Sequence, residues 1–241
     1  MINFKKIIWY LRNPREILIR IKKFYFLQNK YSSYELHNQR YKNIYESIDI
    51  KKYKKSCNTR AKITFNSKFA RNYFLLKKHK EVRYMAVDIG SGVGWLSNYA
   101  SKYFQKVIAI EPTYYAHKIS RLLYSKKNII HVNLFAEDAL KKIKFKKKTF
   151  FFSFHVLSHL EDRAVSLICH QLNQSSVPIG SILSFSEIWT KGNSEYDYTN
   201  IARSIDWWKK NLSNYKIDFF GPRLNSTSKS IYKGFHGYKV K

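Results

Sequence analysis

Val87-Asp88-Ile89-Gly90-Ser91-Gly92-Val93-Gly94 is the stretch on which the fold turns. The apolar run from Tyr84 to Ile89 reads as a short buried strand. Three glycines follow at alternate positions, and then Trp95 to Phe104 reads as a helix, with Leu96, Tyr99, Ala100 and Tyr103 spaced to cover one face. A glycine-rich turn between a strand and a helix lets backbone approach a ligand where a Cβ would collide. The helix start adds N–H groups and a positive dipole end, which favour an anionic group.

Spacing decides which ligand such a turn suits. A dinucleotide fingerprint runs G-x-G-x-x-G, with the last glycine inside the helix. Here the glycines run G-x-G-x-G, and Asp88 stands two residues before the first. This resembles the nucleotide-binding motif of class I S-adenosylmethionine-dependent methyltransferases, whose pattern is acidic-hydrophobic-G-x-G-x-G. The resemblance implies S-adenosylmethionine as cofactor. It places Asp88 near the methionyl amino group and Gly90, Ser91, Gly92 and Gly94 in the turn beside the cofactor.

The downstream chain extends the resemblance over residues 60 to 241. Lys106 to Ile110 reads as a second strand ending at Glu111, 17 residues beyond Gly94, with Pro112 opening the helix Thr113 to Tyr124. A carboxylate there accepts from both ribose hydroxyls. Ala116, Ile119, Leu122 and Leu123 are the inward positions of that helix. Asn128 to Val132 is a third strand. The segment Phe135-Ala136-Glu137-Asp138-Ala139-Leu140 resembles the family's adenine-binding loop, with Asp138 as the residue bonding the adenine amino group and Glu137 as the alternative. Thr149 to Phe154 is a fourth strand, running into His155-Val156-Leu157-Ser158-His159-Leu160, which resembles a segment of small-molecule and glycan methyltransferases. Strand carboxyl ends form the ligand crevice in open parallel sheets, so His155 and His159 are expected beside a methyl acceptor and His155 beside the cofactor as well. A helix Arg163 to Leu172, a fifth strand Ile182 to Glu187, a polar loop Trp189 to Ile205, a short helix from Asp206, and strands Tyr215 to Phe220 and Ile231 to Val240 complete the set. The expected fold is α/β: a doubly wound, seven-stranded, mostly parallel Rossmann-like methyltransferase sheet with an N-terminal helical extension.

The extension, residues 1–59, is basic. Ile2, Ile7, Ile8 and Leu11 share one helical stripe, and Asn13-Pro14-Arg15-Glu16 reads as a fresh helix start followed by Ile17, Leu18, Ile21, Phe24 and Tyr25. Such a pair of amphipathic helices covers the catalytic domain or lies on an anionic membrane surface. Further on, a helix is expected from about Tyr34 to Ser47, a solvated linker around Lys51, Lys52, Lys54 and Lys55, and a helix Phe65 to Lys78.

With 241 residues and 44% hydrophobic composition, the chain is long enough for a substantial core and unlike a disordered one. Cys57 and Cys169 lie outside any metal-type spacing, so no metal site and no disulfide framework are expected. No apolar run approaches the ~20 residues of a spanning helix, and no signal peptide is read, which together give an expected cytoplasmic location, peripheral at the membrane if the extension binds lipid. The net charge of +29, from 45 basic and 16 acidic residues, attracts phosphates, acidic glycans or anionic lipid. It is also the composition that lysine-rich compositional drift leaves.

Methyl transfer from a sulfonium is an in-line displacement in which positioning contributes up to about 7–11 kcal/mol. An oxygen or nitrogen nucleophile also needs a base, and His159, then His155, are the candidates. The chain has no [DNS]-P-P-[YFW] segment and no Pro-Cys at the end of the fourth strand, which lowers nucleobase chemistry. The expected activity is O-methylation of a sugar, glycan or other small polar acceptor. The alternatives are RNA ribose methylation and a basic binding protein that keeps the fold without the chemistry.

Overall fold

The computed structural model describes residues 30–47, 49–64, 73–74, 79–187, 189–190, 195–196, 201–220 and 234–241. The expected amphipathic helices of residues 1–27 lie outside them. Strands β1 (Met85–Ile89), β2 (Lys106–Ile110), β3 (Ile129–Val132), β4 (Thr149–Phe154) and β5 (Ile182–Ser186) alternate with helices α3 (Trp95–Ala100), α4 (Tyr114–Leu123), α5 (Ala136–Lys142) and α6 (Asp162–Asn173), after two N-terminal helices, α1 (Lys30–Ser47) and α2 (Ile50–Thr64). A short excursion, β6 (Trp189–Thr190), β7 (Glu195–Tyr196) and β8 (Ile201–Ser204), precedes α7 (Ile205–Asn211) and the hairpin-like pair β9 (Tyr215–Phe220) and β10 (Gly234–Lys239).

The main sheet has seven strands in the order β3-β2-β1-β4-β5-β10-β9. The first five run parallel, and β10 is antiparallel to both of its neighbours. This is the expected doubly wound sheet. Its order reverses between β1 and β4, which opens a crevice at their carboxyl ends.

Strand alternation divides the core between the two faces. Ala86, Val107, Ala109, Phe150, Phe152 and Ile182 face Leu96 and Ala100 of α3 and Ile119 and Leu123 of α4. Met85, Val87, Ile89, Ile108, Phe151 and Phe185 face Ala139, Val165, Ile168, Leu172 and Trp208 of α5, α6 and α7. All five residues of β1 are buried, as a central parallel strand requires.

Local details depart from the sequence expectation. Helix α3 ends at Ala100, where Tyr103 and Phe104 close the last turn back onto the Ala100 carbonyl. Leu122 is an exposed residue of α4 rather than an inward one. Pro112 precedes the Thr113 cap instead of opening the helix. The stretch around Lys51 to Lys55 is helical, within α2, because α2 packs against α3. The expected loop of residues 189–205 carries the second, three-stranded sheet, order β6-β8-β7. Of the expected helix Phe65 to Lys78, Tyr73 and Phe74 are described and buried; the Tyr73 hydroxyl donates to the Ser153 carbonyl at 2.7 Å, and Ser184 Oγ donates to the Tyr73 carbonyl at 2.7 Å.

Candidate active site

The turn after β1 is built by hydrogen bonds to β2. The Gly90 and Ser91 N–H groups donate to the Ile110 carbonyl at 3.0 and 2.8 Å, and Gly94 N donates to the Ser91 carbonyl at 2.9 Å. Gly90, Gly92 and Gly94 have φ of 73°, 53° and 80°, a region that costs an L-residue about 1–2 kcal/mol. Their surroundings differ. A Cβ at Gly90 would strike the Val156 side chain, and one at Gly94 would strike Ser120 of α4. A Cβ at Gly92 would meet nothing nearer than the Tyr41 hydroxyl, 3.9 Å away. Two glycines therefore allow packing, and the middle one would accept a Cβ without a clash, at ordinary contact distance from the Tyr41 hydroxyl.

Alternation along β1 turns Asp88 to the same side as Ala86, toward α3, where Ser97 Oγ donates to Asp88 Oδ2 at 2.5 Å. Asp88 is buried. Burial raises its pKa from 3.8 to about 7, against the Ser97 hydrogen bond and with a smaller push from the Glu111 charge. Glu111 ends β2 with its carboxylate also buried. Its Oε2 accepts from Gly92 N at 2.8 Å and its Oε1 accepts from Thr113 N at 2.8 Å. Burial raises its pKa as well, opposed by those same bonds. The anion held at the glycine turn is thus the protein's own Glu111. Each of its oxygens keeps a further lone pair for a ligand hydroxyl. Ser91 is buried and Pro112 half-buried beside this pair.

Helix α5 starts at Ala136, so Glu137 and Asp138 fall in its first turn, Glu137 half-buried and Asp138 exposed. The two carboxylates favour the positive end of that helix.

After β4 the chain bends sharply. His155 has φ of 57°, uncommon for a residue with a side chain, and its N–H donates to the Ser186 carbonyl at 3.1 Å. A short 3-10 turn, Leu157–His159, follows and carries His159 to the surface. Two residues that sequence reasoning did not select hold this segment. The buried Glu187 carboxylate accepts from Ser153 Oγ at 2.8 Å, Val156 N at 3.2 Å and Ser158 N at 3.0 Å. Arg203 of β8, fully buried, donates to the Leu157 carbonyl at 2.7 Å, the Leu160 carbonyl at 2.6 Å and Asp162 Oδ1 at 2.9 Å. An acid takes the N–H groups of the segment and a base takes its carbonyls, which satisfies backbone that no ladder reaches. Burial lowers the Arg203 pKa, and Asp162 opposes that shift. A strand ending in a carboxylate was a signal for Glu187, as it was for Glu111. Nothing in the sequence near Arg203 pointed to its role.

The fold therefore brings Asp88, Gly90, Ser91, Gly92, Gly94, Glu111 and Pro112 together at the carboxyl ends of β1 and β2, and places His155 directly after β4 beside β5. Residues 87–169 match a family described as a methyltransferase domain. A search of curated protein sequences finds no match. Among solved structures, the chain is similar to an S-adenosylmethionine-dependent methyltransferase structure from Listeria monocytogenes, at 13% identity and a TM-score of 0.55, covering 71% of this chain and 99% of that one. It is similar to magnesium protoporphyrin IX methyltransferase of Synechocystis with bound SAH, at 12% identity and a TM-score of 0.52, covering 78% and 83%. It is also similar to human N-acetylserotonin methyltransferase in complex with SAM, at 14% identity and a TM-score of 0.52, covering 70% and 51%. At these identities the likeness is one of fold, and that fold is the class I S-adenosylmethionine-dependent methyltransferase fold.

Proposed function

We propose that this chain is an S-adenosylmethionine-dependent methyltransferase acting on a hydroxyl of a sugar, glycan or other small polar acceptor. The observation that carries the cofactor reading is the Gly92 turn. Its tip donates to the buried carboxylate of Glu111, with the buried Asp88 on the neighbouring strand, at the strand ends that form the crevice. Those residues fit the cofactor: Asp88 offers a negative group to the methionyl amine, and the remaining lone pairs of Glu111 offer acceptors to the ribose hydroxyls. Asp138, with Glu137 beside it, is proposed for the adenine amino group. The bound cofactor supplies a methyl on a positively charged sulfur, open to attack by a nucleophile in line.

The chain's own residues then have to orient an acceptor and take its proton. His159 is proposed as the base, with His155 as the second candidate, because both belong to the short segment after β4 that Glu187 and Arg203 hold in place. The +29 charge supports an anionic acceptor or carrier, including a membrane face reached through the N-terminal extension.

Two experiments test this reading. Calorimetric titration with S-adenosylmethionine is expected to give saturable one-site binding that Gly92→Phe abolishes; unchanged affinity in that variant overturns the cofactor assignment. Incubation with methyl-labelled cofactor and fractionated cell extracts is expected to label glycan or metabolite fractions, and His159→Ala to slow that labelling while cofactor affinity holds. Label in RNA alone overturns the acceptor assignment.

A further inference from the structure

The charge of this chain is divided along the strand axis. The connections at the carboxyl ends of β1 to β4, residues 90–94, 111–113, 133–135 and 155–161, contain no Lys or Arg, and the acids Asp88, Glu111 and Glu187 sit at that edge. The connections at the amino ends are the reverse. Lys126 and Lys127 lead into β3, and Lys144, Lys146, Lys147 and Lys148 lead into β4, all of them exposed. Among the described residues of these amino-end connections the acid is Glu81, which pairs with His79 at 3.0 Å. Lysine-rich drift in composition would load both edges alike. This sheet carries its lysines at one edge, away from the crevice.

The same edge exposes apolar groups: Tyr84, Ile179 and Val240 are 38%, 63% and 52% exposed. Strand register brings them onto neighbouring strand ends. Tyr84 precedes Met85, which pairs with Thr149 of β4; Phe150 pairs with Ile182 of β5, and Ile182 with Tyr238 of β10. Backbone bonds fix the last two, since Gly180 N donates to the Lys239 carbonyl at 2.9 Å and Val240 N to the Asn214 carbonyl at 2.9 Å. Lysine stands among them. Lys147 Nζ lies 4.3 Å from the centre of the Tyr84 ring, and the Lys148 chain lies over Gly180, where a Cβ would come within 2.9 Å of its Cε. Single exposed apolar residues are ordinary, but three on adjoining strand ends within a lysine field make a surface of two chemistries. A nucleic-acid backbone offers phosphates to the lysines and nothing to Ile179 or Val240. An anionic bilayer offers phosphates and, just beneath them, an acyl boundary. Tyrosine and lysine both settle at headgroup depth, apolar stem inward and polar tip in water.

We propose that the amino-terminal edge of the sheet docks on an anionic lipid bilayer, with Tyr84, Ile179 and Val240 entering the headgroup boundary and the lysines of residues 144–148 meeting lipid phosphates. The contact is made by the sheet itself, not by the N-terminal extension, and does not depend on the cofactor reading. The crevice lies at the other end of strands five residues long, about 17 Å away by the rise of a strand. It therefore opens away from the bilayer, toward acceptors in water or held out from the surface.

The test is co-sedimentation of the full chain with vesicles of phosphatidylcholine alone and of phosphatidylcholine mixed with phosphatidylserine. Binding is expected to the mixed vesicles and to fall as salt rises. Removing three edge charges together, Lys144→Gln, Lys146→Gln and Lys147→Gln, is expected to weaken it about hundredfold, roughly fivefold per lysine. Ile179→Ser with Val240→Ser is expected to weaken it at least about tenfold at an unchanged melting temperature. Arg40→Gln, Lys118→Gln and Arg163→Gln remove the same charge from helices beside the carboxyl edge and are expected to weaken it far less. Equal weakening by the two charge sets overturns the edge as the contact. Binding unchanged by the Ile179 and Val240 pair overturns the insertion. No pelleting of the wild-type chain with mixed vesicles, or binding to an RNA duplex in its place, overturns the proposal.

Discussion

The Glu111 carboxylate accepts the Gly92 N–H at 2.8 Å, so the residue that ends β2 also holds the tip of the turn that follows β1. A group read from sequence as a ligand acceptor is at the same time a structural anion. Its second oxygen, bonded to Thr113 N, starts helix α4.

Glu111→Gln is therefore expected to damage the protein before any cofactor is present. An amide offers one oxygen where two N–H groups need acceptors, and the unsatisfied donor costs about 1–3 kcal/mol. Urea unfolding of the cofactor-free protein checks this. Wild-type stability combined with weakened cofactor binding would assign Glu111 to the ligand alone.

The three glycines are expected to differ on replacement by alanine. All three pay the left-handed backbone cost, but Gly90→Ala and Gly94→Ala also press a methyl into Val156 and Ser120. Overpacking of this kind adds about 1–3 kcal/mol. Gly92→Ala should retain the larger part of its stability and lose cofactor affinity instead. Paired thermal melts and calorimetric titrations separate the two patterns, and equal destabilisation at all three positions would refute the distinction.

Asp88 links stability to pH. Its pKa is about 7 in the folded protein against 3.8, so the folded state holds a proton that the unfolded chain has lost. Stability from this group is complete below pH 4 and is lost as pH rises toward 7, by about 4 kcal/mol at one pKa unit per ~1.4 kcal/mol. The stability difference between Asp88→Asn and wild type should grow in favour of the variant across that window. Cofactor affinity should move the opposite way in wild type, strengthening as Asp88 ionises, by up to about tenfold per pH unit. A wild-type affinity profile as flat as that of Asp88→Asn would remove Asp88 from the methionyl amine.

Arg203→Ala is expected to cost at least about 3 kcal/mol, since it strips donors from the Leu157 and Leu160 carbonyls and a partner from Asp162. The amides of residues 156–160 should then exchange faster than the sheet core. Exchange confined to wild-type rates would show that Glu187 alone holds the segment.

Periodicity and glycine spacing miss the helix Ala136–Lys142, whose first turn reads as a loop, but were enough to read the five parallel strands, the final antiparallel pair, the turn of Gly90 to Gly94 and the strand-ending Glu111. Each of these is written into consecutive residues: alternation or an apolar run for a strand, a 3.6-residue stripe for a helix, positive φ for glycine. The same local rules placed Pro112, Leu122 and the residue 189–205 stretch incorrectly, because helix starts and short strands depend on what packs beside them. The partners that make the crevice specific were beyond such reading. Ser97 meets Asp88 because α3 folds back over β1; Arg203 reaches Leu157 because β8 returns to the end of β4; Tyr41 reaches Gly92 because α1 crosses the rim. Local patterns specify each element, and only the packed sheet decides which buried charges share a crevice, because burial and distance, not position in the chain, set what a carboxylate or a guanidinium can do.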